Sequence, residues 1–299
     1  MRVTKFSIKK EFFPIEIISF IYMAITAVFI LLFWNLIKDG TAGELLLTRL
    51  FFIAVIGGLY WINKYTNAPI VPILRQIIPL GFIIHFYPET YYFNNVIFAE
   101  YLDPTFIHLD QIIFGTQPST VFSEIMPYAW FNELMNFAYC TYFFTIAGIV
   151  FYLLFRNKDA AFRATFIMLC SFFIYYILFI ILPVAGPQFY VFDHDTALPS
   201  HGPMRELLLF FHAMGEQPTG AVPSSHIGIM TIYMTLLWQN GRKLFWWILP
   251  LSFLLMLSTV YIRAHYAVDV LLGFATAPFI FLFSNWCWKK FNYFNRCKK

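Results

Sequence analysis

Stretches of about 20 mostly apolar residues recur along almost the whole chain. A helix of roughly this length is needed to cross about 30 Å of hydrocarbon. We therefore predict an all-α integral membrane protein with about eight transmembrane helices. The predicted spans are residues 15–37, 45–62, 68–86, 135–155, 164–184, 226–238, 244–262 and 266–286.

Composition supports this prediction of membrane embedding. Hydrophobic residues make up 60% of the 299-residue chain and charged residues 12%, whereas about a quarter of a soluble domain is charged. A single aqueous core cannot hide this apolar excess. The first span is too long for the core of a signal peptide, and no small-residue cleavage site follows it, so we expect it to be retained.

Three segments depart from a regular series of spans. The span at 226–238 is short, so we expect it to be extended at its ends or partly buried in protein. The span at 68–86 contains three prolines and is expected to be kinked. Residues 87–133 are mixed in polarity and rich in aromatic residues. We interpret them as an interfacial segment with short amphipathic helices, because Tyr and Trp sit well at headgroup level.

The distribution of basic residues predicts the orientation of the chain. If both termini lie in the cytoplasm, most of the 20 Lys and Arg residues fall on the cytoplasmic side and most acidic residues fall on the other. Such an excess of positive charge is typical of cytoplasmic loops. Compact loops suggest a bacterial inner membrane, and an organelle membrane is the alternative.

A first polar motif, Gly-Ala-Val-Pro-Ser-Ser-His at residues 220–226, opens the short sixth span on the predicted periplasmic face. Ser224 is a natural N-cap after Pro223. The unpaired backbone N–H groups and the dipole of a helix N-terminus form an anion site suited to phosphate oxygens. His226, on the first turn, is placed to give a proton to a departing oxygen.

A second polar motif, residues 258–269, lies on the same predicted face. His265 and Asp269 are four residues apart and share a face if this segment is helical. The carboxylate can then keep one imidazole nitrogen protonated and free the other as a nucleophile. Arg263 is close enough in sequence to offset charge on a transferring phosphoryl group.

These two motifs resemble those of the type-2 phosphatidic acid phosphatase superfamily, which includes lipid phosphatases, sphingolipid head-group synthases and vanadium haloperoxidases. Pro223, Ser224 and His226 match its Pro-Ser-x-His motif, and His265 and Asp269 match its His-x-x-x-Asp motif. The resemblance implies that His265 forms a phosphohistidine, that Asp269 orients it, and that His226 is the acid for the leaving group.

The resemblance also implies a domain organisation. It covers roughly residues 134–286 and implies a six-helix phosphatidic acid phosphatase-type core. We therefore expect N-terminal transmembrane helices and the interfacial segment over residues 1–130, the catalytic core over 131–288, and a basic cytoplasmic tail over 289–299.

Departures from the phosphatase branch point to another branch of the superfamily. The phosphatase branch has a first motif in which a Lys is followed, after six residues, by Arg-Pro, and no such motif precedes Pro223 in this chain. That branch also has an Arg six residues before the nucleophilic histidine, where this chain has Thr259. Ser258-Thr259 with the surrounding motifs resembles more the inositol phosphorylceramide synthases, which move a phospho-head-group from a glycerophospholipid to ceramide. Without the phosphatase cations, the candidate phosphate ligands are Arg263, Arg205, Gln188, Ser224 and Ser225.

Other polar residues have simpler explanations. Interfacial anchoring is the alternative for Arg263, and solvation in a polar loop is the alternative for Arg205 and His201. Arg49 and Arg75 are expected to pair with carboxylates or to reach an interface, with a role in the site as the alternative. His85, His108, His194 and His212 are interpreted as interfacial histidines without chemistry.

The leading functional hypothesis is a two-step displacement through the phosphohistidine. The acceptor is a lipid alcohol such as ceramide in a head-group synthase, or water in a phosphatase acting on phosphatidate, an isoprenoid diphosphate or a phosphorylated inositol lipid. No metal or other cofactor is expected, because clusters with ligand spacing are absent from the sequence, and no nucleic-acid partner is expected. A transporter or a non-catalytic membrane scaffold is the competing class, although a transporter usually shows internal repeats.

Overall fold

A computed structural model describes residues 11–66, 68–192 and 202–297 of the chain. Every regular element of these described residues is a helix. The α-helices are α1 (Pro14–Leu32), α2 (Ala42–Tyr65), α3 (Val71–Gly81), α4 (Ile83–Phe93), α5 (Asp103–Phe114), α6 (Pro118–Ile125), α7 (Ala129–Arg156), α8 (Lys158–Ile181), α9 (Pro187–Tyr190), α10 (Pro203–Ala213), α11 (Ser225–Asn240), α12 (Arg242–Tyr261) and α13 (Ala267–Cys297).

Seven stretches of the described chain are long and apolar enough, by length and composition, to cross a membrane, which confirms the predicted fold class. These stretches are α1, α2, α3 with α4, α7, α8, α12 and α13. The eighth predicted span, at 226–238, forms α11 and is shorter than the other seven. With 16 residues, α11 is about 24 Å long and falls short of the hydrocarbon thickness. As expected for a short apolar helix, most of its side chains are buried in protein.

The third span is broken, as its prolines predict, and it lies further along the chain than the sequence indicated. Pro79 lies inside α3, which ends at Gly81, and α4 then continues to Phe93. Proline cannot donate the backbone hydrogen bond of a helix and clashes with the preceding turn, so the axis bends there. The span is therefore Val71–Phe93 rather than 68–86.

Helix α8 is the centre of the bundle. In the most apolar stretch of α8, 78% of the residues are buried, whereas the value for α2 at the periphery is 17%. Helices α1, α3, α4, α7, α11 and α13 all pack against α8. Helices in a membrane associate through close packing and polar contacts rather than through exclusion of water, and α8 supplies the common packing surface.

Two buried ion pairs tie the N-terminal helices together. Arg75 on α3 contacts Glu16 on α1 through two bonds, from Nε to Oε1 at 2.7 Å and from Nη2 to Oε2 at 2.6 Å. Arg49 on α2 contacts Glu89 on α4, with Nη2 and Oε2 separated by 2.7 Å. A charge buried without a partner is strongly unfavourable. Pairing with carboxylates is therefore the role of both arginines.

The interfacial segment contains the short helices that its composition predicts. Helix α5 ends at Phe114, and its C-cap Gly115 adopts a left-handed conformation with φ of +70° that allows the chain to turn into α6. Helix α5 packs against α13 and α6 packs against α12. The segment therefore lies beside the end of the bundle where the two polar motifs meet.

Candidate active site

The first motif forms the N-terminus of α11, as the sequence predicts. Ser224 is the N-cap, and its Oγ accepts a hydrogen bond from the backbone N–H of Ile227 at 3.5 Å. The backbone N–H of Ser224 in turn donates to the carbonyl of Asp269 at 3.2 Å. His226 lies on the first turn of α11, packed against the rings of Tyr139 and Tyr142. The cap thus ties His226 to the segment that carries Asp269.

The second motif is divided between two helices, as the separate predicted spans at 244–262 and 266–286 indicate, and His265 and Asp269 do not share one helix. Helix α12 ends at Tyr261 and α13 begins at Ala267, so His265 lies in the bend between them and only Asp269 is helical. Arg263 in this bend has a φ of +66°, which is unfavourable for a residue with a side chain and is often found at functional sites. Asp269 Oδ2 accepts from the backbone N–H of Tyr266 at 2.9 Å and so fixes the start of α13.

The two motif histidines are in direct contact. His226 Nδ1 lies 3.1 Å from His265 Nε2, and His265 Nδ1 lies 2.8 Å from the carbonyl oxygen of Ala221. A carbonyl only accepts hydrogen bonds, so Nδ1 of His265 carries the proton. The lone pair of His265 is therefore on Nε2 and points at His226.

Asp269 lies near the His265 ring but does not form the shortest hydrogen bond to it. Its Oδ2 lies 3.7 Å from His265 Nδ1, further away than the Ala221 carbonyl. Its Oδ1 is buried and has no hydrogen-bond partner among the described residues. At this distance, a negative carboxylate stabilises a positively charged imidazole ring by electrostatic attraction.

Burial keeps the His265 ring neutral. Only 2% of the residue is exposed, and this desolvation lowers the pKa of His265 to about 4, partly opposed by the hydrogen bond to the Ala221 carbonyl. A neutral imidazole has a free lone pair near neutral pH. The ring is thus in the form that a nucleophile requires.

Two buried aspartates on α5 hold the segments that carry the site, and the sequence analysis did not single them out. Asp110 accepts hydrogen bonds from the first two backbone N–H groups of α13, those of Ala267 at 3.0 Å and Val268 at 2.8 Å. It therefore caps α13 from a neighbouring helix, next to Asp269. Burial raises the pKa of the Asp110 carboxyl, and the two backbone N–H groups oppose this effect.

Asp103 performs the same task for a second loop. Its carboxylate accepts from the backbone N–H groups of Ala185 and Gly186, each at 2.9 Å, and from the hydroxyl of Tyr266 at 2.9 Å. Gly186 has a φ of +93°, and a Cβ there would lie 2.9 Å from the carbonyl oxygen of Ala264. Asp103 and Asp110 are seven residues apart, which places them on one face of α5. This spacing is the sequence feature from which the two aspartates could have been predicted to act together.

Arg263 and Gln188 lie together beside the histidine bend. The backbone N–H of Gln188 donates to the carbonyl of Arg263 at 2.9 Å, and its side chain donates to Glu216 at 2.9 Å. The guanidinium of Arg263 donates to Ser123 Oγ at 3.0 Å and lies 3.7 Å from the ring centre of Phe192. Both candidate phosphate ligands therefore have protein partners in this state.

The remaining candidates are distributed differently. Ser225 is buried next to His226 at the start of α11. Arg205 lies on the first turn of α10, where its backbone N–H donates to Glu133 on α7 at 3.2 Å. His212 on α10 lies closer to the site than expected, with its ring centre 6.1 Å from that of Tyr139.

The other histidines have ordinary surroundings or cannot be placed. His85 is half exposed and lies 2.8 Å from Glu89 on the same helix. His194 and His201 lie outside the described residues. No group of three or more His, Cys, Asp or Glu side chains within the described ranges has a geometry that could hold a metal ion.

A cavity of about 600 Å³ opens beside His226. Its walls come from α3, α4, α7 and α8 and are largely apolar, whereas its inner end contains His226, Ser225 and Glu216. A volume of this size is typical of small-molecule sites. His226 therefore lies next to a largely apolar space.

Comparison with known families identifies the same region. A sequence model of the PAP2 superfamily matches residues 105–283, about three fifths of the chain, and includes both polar motifs. The match begins earlier than the resemblance at 134–286 and takes in most of α5 and all of α6. A search of curated proteins and a search of solved structures each found no match.

Proposed function

Since the chain belongs to the PAP2 superfamily, we propose that it is a membrane lipid phosphotransferase that works through a phosphohistidine on His265. The observation that supports this proposal best is the contact of 3.1 Å between His226 Nδ1 and His265 Nε2, with the Nδ1 proton of His265 held by Ala221. This arrangement presents a nucleophilic lone pair to a second ring that can move protons.

In the first step, His265 Nε2 attacks the phosphorus of a lipid phosphate or phosphodiester. The N–P bond forms, the P–O bond to the lipid breaks, and His226, present as an imidazolium in the substrate complex, gives one proton to the departing oxygen and becomes neutral. Positive charge appears on the His265 ring, and Asp269 stabilises it from 3.7 Å. In the second step, an acceptor hydroxyl attacks phosphorus, His226 takes its proton, and the N–P bond breaks.

The two rings have to separate when substrate binds. A phosphorus atom ready for attack lies about 3–3.5 Å from the nucleophile. Since His226 already lies 3.1 Å from His265, a phosphoryl group has no room between them. The described geometry is therefore that of the free site, in which the two histidines satisfy each other.

We further propose that the acceptor is a lipid alcohol such as ceramide and that the transferred group is a phospho-head-group such as phosphoinositol. Thr259 in place of the phosphatase arginine and the apolar cavity beside His226 support this branch. Hydrolysis by water uses the same residues, so lipid phosphatase activity is the alternative outcome of the experiment below.

The proposed phosphate ligands are Arg263, Arg205, Gln188, Ser224 and Ser225. Ser225 lies at the N-terminus of α11, where backbone N–H groups and the helix dipole favour an anion. For Arg263 to bind phosphate, its guanidinium has to exchange the neutral Ser123 hydroxyl for a charged oxygen, which is the stronger partner.

Product analysis tests this function. Purified protein is incubated with labelled phosphatidylinositol or phosphatidic acid, with and without ceramide, and the lipids are analysed by thin-layer chromatography and mass spectrometry. We expect a head group on ceramide that depends on His265, and His265→Ala to abolish it. His108→Ala is the matched control, since His108 is exposed on α5. Ceramide-independent release of inorganic phosphate identifies a phosphatase, and no product from any donor contradicts the proposal.

A further inference from the structure

The cavity beside His226 is a cleft between two parts of the bundle. Helices α3 and α4 on one side and α7 on the other both pack against α8. Gly81 and Ile84 line the first wall, Ile146 lines the second, and Phe172 and Tyr176 of α8 form the floor. The cleft is therefore bounded by hydrocarbon and aromatic side chains on three sides.

The inner end of the cleft is polar. His226, Ser225 and Glu216 all line it. Tyr142 also lines it, with its ring 4.6 Å from the His226 ring. The Tyr142 hydroxyl is buried and has no hydrogen-bond partner among the described residues. A buried hydroxyl normally has a hydrogen-bond partner, so the Tyr142 hydroxyl is available to bind a polar group of a ligand.

Large apolar side chains line the outer side of the cleft and are exposed at the surface of the bundle. Ile84 is 70% exposed, Phe151 is 57% exposed and Phe143 is 37% exposed, and all three line the cavity. Side chains of this kind on membrane-spanning helices are suited to lipid contact. The cleft thus connects a lipid-facing surface with the reactive histidines.

Resting on the proposed function, we propose that the cleft binds one hydrocarbon chain of the lipid whose phosphate reacts at His265, and that α3 and α4 set the chain length accepted. Both helices lie outside the part of the chain that matches the superfamily, which begins at residue 105. The wall that contacts the chain is therefore a feature added to the matched catalytic region.

A hydrocarbon chain is the occupant that this lining favours. A polar ligand would lose its hydration against walls without partners, which is unfavourable. A chain that leaves the bilayer for the cleft keeps apolar surroundings throughout. The Tyr142 hydroxyl and His226 then meet the polar end of the same lipid.

The cleft can be narrowed without disturbing the bundle. A Cβ added at Gly81 meets no atom within 4 Å, so Gly81→Phe extends a ring into the cleft. Gly58 on α2 is equally open but is not among the residues lining the cleft. Gly58→Phe is therefore the matched control.

The first test compares dioctanoyl and dioleoyl forms of phosphatidic acid and phosphatidylinositol. We expect Gly81→Phe to lower kcat/KM for the dioleoyl substrate by about tenfold and to leave the dioctanoyl substrate nearly unchanged. Gly58→Phe should change neither. Equal effects on both chain lengths, or equal effects of both variants, overturn the proposal. Absence of turnover by the wild-type protein instead contradicts the proposed function.

The second test needs no turnover. A phosphatidic acid analogue with a photoreactive group near the end of one acyl chain is crosslinked to the His265→Ala protein, and the labelled peptides are mapped by mass spectrometry. We expect labels on residues 77–87 and 142–151, lost with an added Gly81→Phe and retained with an added Gly58→Phe. Labels spread over other lipid-facing helices, insensitive to Gly81→Phe, overturn the proposal.

Discussion

At the scale of single residues, the fixed tautomer of His265 determines which ring nitrogen attacks phosphorus in the proposed mechanism. The Ala221 carbonyl holds the Nδ1 proton at 2.8 Å, which leaves Nε2 as the reactive atom. Asp269 at 3.7 Å then serves mainly to stabilise positive charge during attack. The backbone therefore sets the orientation of the ring, and the carboxylate sets its electrostatics.

The role of His226 as acid predicts a dependence on the leaving group. His226→Ala should lower kcat/KM for a lipid phosphate with an alcohol leaving group by about 10²–10⁴-fold, because the departing alkoxide needs a proton. The loss should be much smaller for an alkyl nitrophenyl phosphate, whose leaving group departs as a stable anion. His265→Ala should abolish both reactions, and equal losses for both substrates in His226→Ala would argue against the acid role.

The low pKa of His265 predicts how its contribution to stability varies with pH. The folded pKa is about 4 and the ordinary value is about 6.5, so the unfolded chain binds the proton more readily. The contribution of neutral His265 is complete above pH ~6.5 and is lost progressively as the pH falls toward ~4, by about 3 kcal/mol.

Thermal unfolding in detergent between pH 7 and 4 measures this effect. The midpoint should fall less steeply for His265→Asn than for the wild-type protein, since asparagine does not titrate. Parallel curves for the two proteins would contradict the assigned burial of a neutral ring.

At the scale of elements, α5 positions the site from outside the spanning helices. Asp110 caps α13 and Asp103 holds the loop at Ala185 and Gly186, so one short helix fixes two segments that meet at His265. Charge-assisted hydrogen bonds to backbone N–H groups are about twice as strong as neutral ones. The carboxylates therefore hold a bend that contains the strained Arg263.

Asp110→Asn tests this positioning role. The amide keeps one acceptor oxygen and cannot satisfy both backbone N–H groups of α13, so we expect a loss of about 1–2 kcal/mol in stability. Misplacement of His265 should lower kcat by about 10–100-fold with KM nearly unchanged. Asp159→Asn, an exposed carboxylate at the start of α8, is the control. A change confined to KM, or to stability alone, would contradict positioning.

The elements also show what the sequence could predict. Runs of apolar residues identified the spans, and Ser224 after Pro223 identified the start of α11, because both signals are local. The predicted spans at 244–262 and 266–286 also place the break around His265 and the start of α13 to within one residue. The capping of α13 by Asp110 was missed, because the two segments are more than 150 residues apart in sequence. The break between α3 and α4 was predicted from the prolines, and it follows Pro79 within one turn.

At the scale of the whole molecule, the added N-terminal helices and the matched region share one packing surface. Helix α8 contacts α1, α3 and α4 as well as α7, α11 and α13. Helix α13 continues past the predicted span to Cys297, into the segment expected to be a tail. The domain boundaries proposed at residues 130 and 288 therefore separate sequence regions rather than independent folding units.

The proposed orientation predicts which loops are accessible from each side of a bacterial inner membrane. Asn157 between α7 and α8 should lie in the cytoplasm, and Glu124, exposed on α6, should lie in the periplasm. In a background whose four cysteines are replaced by alanine, Glu124→Cys should react with an impermeant maleimide in intact cells. Asn157→Cys should react only after the membrane is opened. The reverse pattern would contradict the orientation.

The central claim is that His265 Nε2 forms the covalent bond to phosphorus, and trapping that bond tests it most directly. The His226→Ala protein is mixed with an alkyl nitrophenyl phosphate labelled at phosphorus, so that the first step proceeds and the second lacks its base. The reaction is quenched in alkali, where the N–P bond survives, and the peptides are sequenced by mass spectrometry. The label should be on His265 and absent when His265→Ala is added. Label on another residue, or turnover without any labelled histidine, would contradict the mechanism.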